Sequence, residues 1–201
     1  GIMACNPAHR QAMELAWSTL QGLDARELAR ASAGELRGVE LVLPTLGGET
    51  LVDLQDRMVI TPNHLGGCWG LAALHHLKGC LSWKADENWM SFDQVLDARP
   101  FSAAFRQRAV APLALRFGAA PKDLVRAARR LGGRPLSMGD SAVLLHAFPR
   151  LRVAVVVWRG DEEVPGGANL LFDRGGAATL PAEDLAEIGI GIAQALLSTD
   201  R

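Results

Sequence analysis

The sequence lacks the features that identify membrane, nucleic-acid-binding and disulfide-rich proteins. It has three cysteines in 201 residues, and this odd number favours reduced thiols and a cytoplasmic location over a disulfide framework. Lysine and arginine number 21 against 22 acidic residues, so the net charge of −1 predicts neither a nucleic-acid partner nor a membrane partner. The longest segment without a formal charge, 58–77, contains proline, asparagine and histidine and predicts no transmembrane helix.

The common catalytic motifs are absent as well. The sequence contains no G-x-S-x-G nucleophile motif, no P-loop, no dinucleotide-binding G-x-G-x-x-G after a strand and no H-E-x-x-H zinc motif. Its cysteines, Cys5, Cys68 and Cys80, form no C-x-x-C pair and cannot supply the four thiolates of an ordinary iron–sulfur cluster. We therefore expect no iron–sulfur cluster from this chain's own cysteines, and the cofactor remains unknown.

What the sequence does contain is enough apolar material for a folded core. Hydrophobic residues make up 49% of the chain and charged residues 21%, which suits one globular domain of about 150–200 residues. No repeat, low-complexity segment or linker divides it. We predict a single domain over residues 4–201, with residues 1–3 interpreted as a remnant of an expression tag.

The first 80 residues predict two helices, a small sheet and a buried helix. The first helix begins at Pro7, and the second is capped by Asp24 and ended by Gly34. Alternating apolar residues over 39–60 predict an antiparallel meander of short strands. Residues 65–79 are apolar on nearly every side, which predicts a helix buried at the centre of the fold.

The middle and last thirds of the chain differ in their patterns. Residues 80–99 show no clear periodicity and predict a long, partly ordered loop, and residues 100–131 predict helices that are interrupted at Pro112. Residues 141–159 then predict a hairpin, which is followed by a short strand and a final helix. Separate helical and strand blocks, without strict alternation, favour an α+β fold in which antiparallel sheets pack against helices.

Several segments carry a resemblance to a known family. They are Leu74–Leu77, Gly139-Asp140, Ala147–Pro149, Val156–Pro165, Leu170–Asp173 and Leu180–Leu185. Together they resemble the family called domain of unknown function 3786, over residues 40–190. This resemblance implies no reaction, because the family has none established. Some relatives resemble fusions to a cysteine-rich iron–sulfur segment and come from anaerobic microbes, but this chain has no such segment.

The predicted hairpin suggests a first candidate site, formed by carboxylates. A turn centred after Arg150 places Asp140 opposite Asp161 at the open end of the hairpin, with Arg159 on the same face. Paired acids require a positive partner, either Arg159 in a structural network or a divalent metal. A tighter turn at 149–150 places Asp140 opposite Arg159 instead, which makes an ordinary ion pair.

If a divalent metal is the positive partner of these acids, its ligands would be carboxylate oxygens of the C-terminal strands and the loops beside them. The candidates are Asp140, Asp161, Glu163 and Asp173, with Arg159 as the competing counter-charge. Asp173 is the weakest of them, because an antiparallel third strand places it at the far end of the sheet. In a metal-dependent hydrolase, His146 or His75 would serve as the acid or base.

A second candidate site would use nitrogen and sulfur ligands on the buried helix. Its residues are His64, Cys68, His75, His76 and Cys80. The pairs His64 with Cys68 and His76 with Cys80 are four residues apart, so each could give two ligands to zinc, to copper or to a tetrapyrrole. The alternative is that hydrogen bonds hold the histidines and that the cysteines act as small hydrophobic residues.

A third feature is the charge distribution. Residues 99–134 contain nine basic residues and a single acid, Asp123. The stripe proposed for an anionic partner comprises Lys122, Arg126, Arg129 and Arg130. No aromatic residues alternate with them, so an acidic protein or ligand is favoured over nucleic acid, and a solvated helix face is the simpler alternative.

Three functional hypotheses follow from these candidates. We favour a cytoplasmic accessory protein that holds a small ligand or cofactor between the helix at 65–79 and the C-terminal sheet. The second hypothesis is a metal-dependent, hydrolase-like enzyme that uses the carboxylates of the hairpin. The third is a protein-interaction module that uses the basic helix at 122–130.

Overall fold

In a computed structural model, which describes residues 7–66 and 68–198, the chain has an α+β fold with antiparallel sheets packed against helices. Its α-helices are α1 (Pro7–Leu20), α2 (Ala25–Ser32), α3 (Cys68–Cys80), α4 (Ser102–Phe105), α5 (Ala111–Gly118), α6 (Lys122–Arg129), α7 (Arg174–Ala177) and α8 (Ala182–Ser198). Its strands are β1 (Glu35–Arg37), β2 (Glu40–Thr45), β3 (Gly48–Asp53), β4 (Met58–Ile60), β5 (Trp89–Ser91), β6 (Arg134–Leu136), β7 (Ser141–Phe148), β8 (Leu151–Trp158) and β9 (Gly167–Asp173).

The second helix starts as predicted but ends differently. The Asp24 side chain accepts a hydrogen bond from the Arg26 N–H and so caps α2. At the other end Ala33, and not Gly34, adopts the left-handed conformation with φ of 57°. Glycine is needed at position 34 for another reason, because a Cβ there would lie 2.7 Å from the carbonyl oxygen of Val42. The close approach of β2 therefore selects this glycine.

The predicted meander and central helix are both present. Strands β1 to β4 form an antiparallel sheet in chain order. Helix α3 begins at Cys68, three residues later than predicted, because residues 63–65 form a turn in which the Leu65 N–H donates to the Pro62 carbonyl. Its side chains are buried on several faces, and it contacts α1, α2 and α8. This burial confirms that α3 is central.

Two predictions for the middle of the chain were wrong. Residues 80–99 are not only a loop, because they contain the edge strand β5 and a short 3-10 helix at Phe92–Gln94. The helix is also not interrupted at Pro112, since α4 continues through a π-helical turn at Arg106–Val110 into α5. In this wider turn the Ala111 N–H donates to the Arg106 carbonyl, five residues earlier, and the chain stays helical across the proline.

The C-terminal strands form a five-stranded antiparallel sheet in the order β5-β9-β8-β7-β6. The central strands β7 and β8 are buried along most of their length. Helices α5, α6 and α8 contact one another beside this sheet, and α5 contacts β8 and β9. Strand β2 of the other sheet contacts β7, which joins the two sheets.

The hairpin forms, but neither predicted register is correct at its open end. Phe148 pairs with Leu151 around the tight turn, and an irregularity between His146 and Phe148 then shifts the pairing by one residue. Ser141 consequently pairs with Val157, so the pairing does not bring Asp140 opposite either Asp161 or Arg159. A single extra residue in one strand is sufficient to change every later cross-strand neighbour.

Within residues 7–66 and 68–198, none of the helices is both long enough and apolar enough to cross a membrane.

Candidate functional site

The carboxylates at the open end of the hairpin are used locally by the backbone. Asp140 accepts a hydrogen bond of 2.6 Å from the Arg159 N–H. Asp161 accepts from the N–H groups of Val164 and Glu163, and these two bonds lower the pKa of its carboxyl group. Glu163 is exposed in the same loop. The two aspartates are therefore used separately, because Asp140 bonds across the open end of the hairpin and Asp161 closes the turn that follows it.

Asp173 lies at the opposite end of the sheet, as the antiparallel topology predicts. It pairs with Trp89 of β5 and caps α7, because its carboxylate accepts from the Gly176 N–H. The Arg152 N–H donates to its other oxygen at 2.7 Å. Burial raises the pKa of Asp173, and the two N–H donors act in the opposite direction. This carboxylate joins β8, β9 and α7, which is a structural role.

We expect Asp173→Ala to lower the free energy of unfolding by about 2 kcal/mol, because it removes a helix cap and takes the acceptor from the partly buried Arg152 N–H. Urea unfolding of the purified protein measures this change. The matched control is Asp56→Ala, which alters an exposed turn and should leave the unfolding midpoint nearly unchanged. Equal losses in the two variants would contradict the role assigned to Asp173.

The described part of the chain contains no group of three histidine, cysteine or acidic side chains arranged to hold one metal ion. His146, the predicted acid or base, faces Arg152 across the hairpin near its turn. It is thus remote from Asp140 and Asp161, which lie at the other end. The geometry of the hairpin gives the metal-dependent hydrolase hypothesis no assembled site.

The histidines and cysteines before and within α3 have different surroundings. His64 is exposed in the turn before the helix, so it does not form a helical pair with Cys68. His75 is partly exposed, and its Nδ1 lies 2.5 Å from the Oδ2 of the buried Asp184 at the start of α8. The contact between His75 and Asp184 therefore ties α3 to α8.

His76 and Cys80 form the one predicted pair that the described structure brings together. The Thr179 hydroxyl donates to the Gly176 carbonyl, so it accepts from the His76 Nδ1–H at 2.6 Å. The Nε2 of the ring is then the acceptor for the Cys80 thiol, with a sulfur–nitrogen distance of 3.3 Å. Both ring nitrogens are occupied by protein groups.

The environment of this pair keeps both side chains neutral. Burial, assisted by the positive charge of Arg150, lowers the pKa of His76 to about 3. Burial also raises the pKa of the Cys80 thiol to about 12. The imidazole ring stacks on Phe148, with 4.7 Å between the ring centroids. A neutral thiol in the core is a poor nucleophile and a poor metal ligand, so this arrangement supports the hydrogen-bonded alternative.

The basic stripe on α6 is exposed. Lys122, Arg126, Arg129 and Arg130 all have exposed side chains. Asp123 accepts hydrogen bonds from both Arg116 and Arg126, and these arginines, Arg116 first, lower its pKa. Part of the positive charge is therefore neutralised within the helix, and the interaction-module hypothesis stays a prediction.

A cavity of about 730 Å³ lies between residues 86–101 and the segment that joins α7 to α8. Its apolar wall comprises Met90, Val95, Leu96, Phe101 and Leu180. Leu96 is 83% exposed and leaves an apolar surface beside the opening. Small-molecule sites in proteins typically measure about 300–1,000 Å³, so this cavity has a suitable size.

The charged groups of this cavity are mostly acidic. Asp86, Asp97 and Glu183 line it together with one cation, Arg174. Asp97 has a φ of 61°, a left-handed conformation that few residues other than glycine adopt. Glu183 belongs to the first turn of α8, where the helix dipole stabilises a negative charge. An apolar wall beside an excess of carboxylates favours a ligand that carries a positive charge.

Comparison with protein-family models matches residues 24–195 to the family described as Domain of unknown function (DUF3786). The chain belongs to this family. Membership confirms the resemblance that the motifs around the hairpin predicted. Searches of curated proteins and of solved structures find no match. The DUF3786 match includes every residue named above for the cavity and for the Cys80–His76–Thr179 contacts.

Sequence analysis of this DUF3786 protein does not predict the cavity, and it places the ligand elsewhere, between α3 and the C-terminal sheet. The cavity residues named above come from two segments that are about 80 residues apart, and no spacing rule connects them. The available signal is the long segment 80–99 without periodicity, since long loops in a compact domain are often functional. The loop therefore indicates a site but gives no information about its chemistry.

Proposed function

We propose that this DUF3786 protein is a cytoplasmic accessory protein that binds a small organic cation with an apolar body. The cavity between residues 86–101 and the α7–α8 segment carries this proposal, because it combines a suitable volume with an apolar wall. Its three carboxylates and one arginine favour a cationic group over an anionic one. The cytoplasmic location rests on the small, odd number of cysteines.

The residues around the cavity suit ligand binding better than catalysis. Asp86 accepts hydrogen bonds from the N–H and the side-chain amide of Asn88, which fixes its carboxylate at the cavity wall. The 3-10 helix at Phe92–Gln94 is held by the Ser91 N–H, which donates to the Gln94 side chain. Among the described residues that line this cavity there is no histidine or cysteine. The polar groups can therefore orient a ligand, and they offer no nucleophile with an adjacent base.

A pair of probes with one apolar body and opposite charges tests the proposal. We expect 4-phenylbutylamine to bind about fivefold more tightly than 4-phenylbutanoate, a difference of about 1 kcal/mol. Isothermal titration calorimetry gives both affinities. Nuclear magnetic resonance chemical-shift changes locate the site, and we expect them at Leu96, Ala178 and Glu183.

Two tryptophan substitutions separate the cavity from the rest of the surface. Ala178 is exposed at the cavity wall, so Ala178→Trp should fill the opening without disturbing the core and should abolish amine binding. Ala119 is exposed after α5, away from the cavity, and Ala119→Trp is the matched control. Equal affinity for the amine and the carboxylate, or amine binding that survives in Ala178→Trp, would contradict the proposal.

A further inference from the structure

A second and smaller cleft, of about 200 Å³, lies at the turn end of the β7–β8 hairpin. Two arginines of the hairpin, Arg150 and Arg152, line it together with Trp83. Asp86 contributes to both this cleft and the larger cavity, so the two are neighbours. The cleft is too small for a ligand with a sizeable apolar body, and its walls present guanidinium groups.

Arg150 is held in place by contacts that leave its charge uncompensated. Its Nε–H donates to the carbonyl of Ala31 at the end of α2, at 3.2 Å. Its guanidinium carbon lies 3.9 Å from the ring centroid of Trp83. Among the described residues no carboxylate forms an ion pair with it. Its side chain is half-buried, and its two terminal nitrogens have no partner in this part of the chain.

Arg152 also lies against a tryptophan ring, and a carboxylate compensates its positive charge only weakly. Its guanidinium carbon lies 5.3 Å from the ring centroid of Trp89. Its nearest carboxylate is that of Glu87, at 4.0 Å, and the Glu87 side chain is 86% exposed, so water screens the pair. Asp173 also lines the cleft, but its two oxygens already accept from backbone N–H groups. The cleft thus holds two guanidinium groups beside three carboxylates, those of Asp86, Glu87 and Asp173. Asp86 accepts from Asn88, Asp173 accepts from backbone N–H groups and Glu87 is exposed, so none of the three makes a close hydrogen bond to either guanidinium group.

A half-buried charge without a counter-charge is costly, and the positive field of Arg150 reaches into the core, where it acts on both His76 and Cys80. Two planar guanidinium groups beside a small cleft match the geometry of a phosphate group, which each of them can bind through two hydrogen bonds. We propose that this cleft binds a phosphate group, either as inorganic phosphate or as a small phosphomonoester. This proposal does not rest on the amine-binding function proposed above, although the two sites share Asp86.

Titration with inorganic phosphate at constant ionic strength tests this site. Nuclear magnetic resonance resolves the Nε–H of Arg150 and the indole N–H of Trp83, and we expect both signals to shift and to saturate with a Kd below about 10 mM. Sodium chloride at the same ionic strength should not produce this shift. Glycerol 3-phosphate forms the second arm, because tighter binding than inorganic phosphate identifies a phosphomonoester as the ligand and weaker binding identifies the free ion.

Charge variants give the decisive comparison. Glu87→Gln removes an exposed carboxylate beside Arg152, so it should leave the fold intact and strengthen phosphate binding about two- to fivefold. Arg152→Gln should weaken binding by about fivefold or more. The control is Arg129→Gln, which removes an exposed charge from α6 and should have no effect.

The absence of a saturable shift up to about 50 mM phosphate would overturn the proposal. It would also be overturned if Arg129→Gln weakened binding as much as Arg152→Gln, because binding would then reflect general positive charge. A failure here leaves the amine probes and Ala178→Trp unaffected, so the two proposals can fail separately. Far-ultraviolet circular dichroism of each variant shows whether it is folded.

Discussion

Replacement of Phe148 by alanine is expected to lower the free energy of unfolding by about 3–5 kcal/mol. Phe148 is fully buried at the turn of the hairpin, where its ring stacks on His76 and lies 5.8 Å from the ring of Trp69. Both neighbours belong to α3, so this one side chain joins the central helix to the five-stranded sheet. The large ring would leave a cavity that the rigid hairpin and helix cannot close.

Urea unfolding followed by circular dichroism measures this loss. Leu115→Ala is the control, because Leu115 is 83% exposed on α5 and its truncation should change the free energy of unfolding by less than about 0.5 kcal/mol. A loss below about 1 kcal/mol in Phe148→Ala would contradict the packing of α3 against the hairpin.

The second large effect is a dependence of stability on pH that arises from His76. The pKa of this histidine is about 3 in the folded protein, against an ordinary value of 6.5. Between these two values the unfolded chain binds a proton that the folded protein does not bind. The free energy of unfolding therefore falls as the pH is lowered from 6.5 towards 3, by up to about 1.4 kcal/mol per pH unit.

His76→Gln isolates this contribution, because glutamine does not titrate and can still form hydrogen bonds with Thr179 and Cys80. We expect the loss of stability between about pH 6 and pH 4 to be smaller in this variant than in the natural sequence, by about 1 kcal/mol per pH unit. His64→Gln, at an exposed position, should retain the slope of the natural sequence. Identical slopes in all three proteins would show that His76 is protonated in the folded state.

Much of the architecture could be predicted because it follows from local patterns. The alternation over 39–60 and the two apolar runs around Pro149-Arg150 predict strands, and each of these strands pairs with the next one along the chain. The apolar residues of 68–80 lie on nearly every side of their helix, so the burial of α3 could be predicted from the sequence of this segment alone. The preference for aspartate at helix N-caps likewise predicted that Asp24 caps α2.

The candidate carboxylate site could not be predicted reliably, because it depended on the register of one hairpin. A shift of one residue between His146 and Phe148 changes the residue that faces Asp140 across the strands, and no residue in the turn specifies that shift. The four-residue spacing predicted that His76 and Cys80 lie together, but the hydrogen bonds of the histidine depend on Thr179, about 100 residues further along the chain. Because Thr179 accepts the proton of His76 Nδ1, the Nε2 atom accepts from the Cys80 thiol, and the two side chains form a neutral hydrogen bond and not a pair of metal ligands.

The amino-acid sequence by itself determined the fold class, the central position of α3, the hairpin and the family, because periodicity, turn residues and motifs act over short distances. Only the tertiary structure decided which polar groups meet. The cavity joins residues 86–101 to the α7–α8 segment, and the smaller cleft joins Trp83 to Arg150. Such contacts depend on the packing of elements that are far apart in the chain, and packing is a property of the whole core and not of any local pattern.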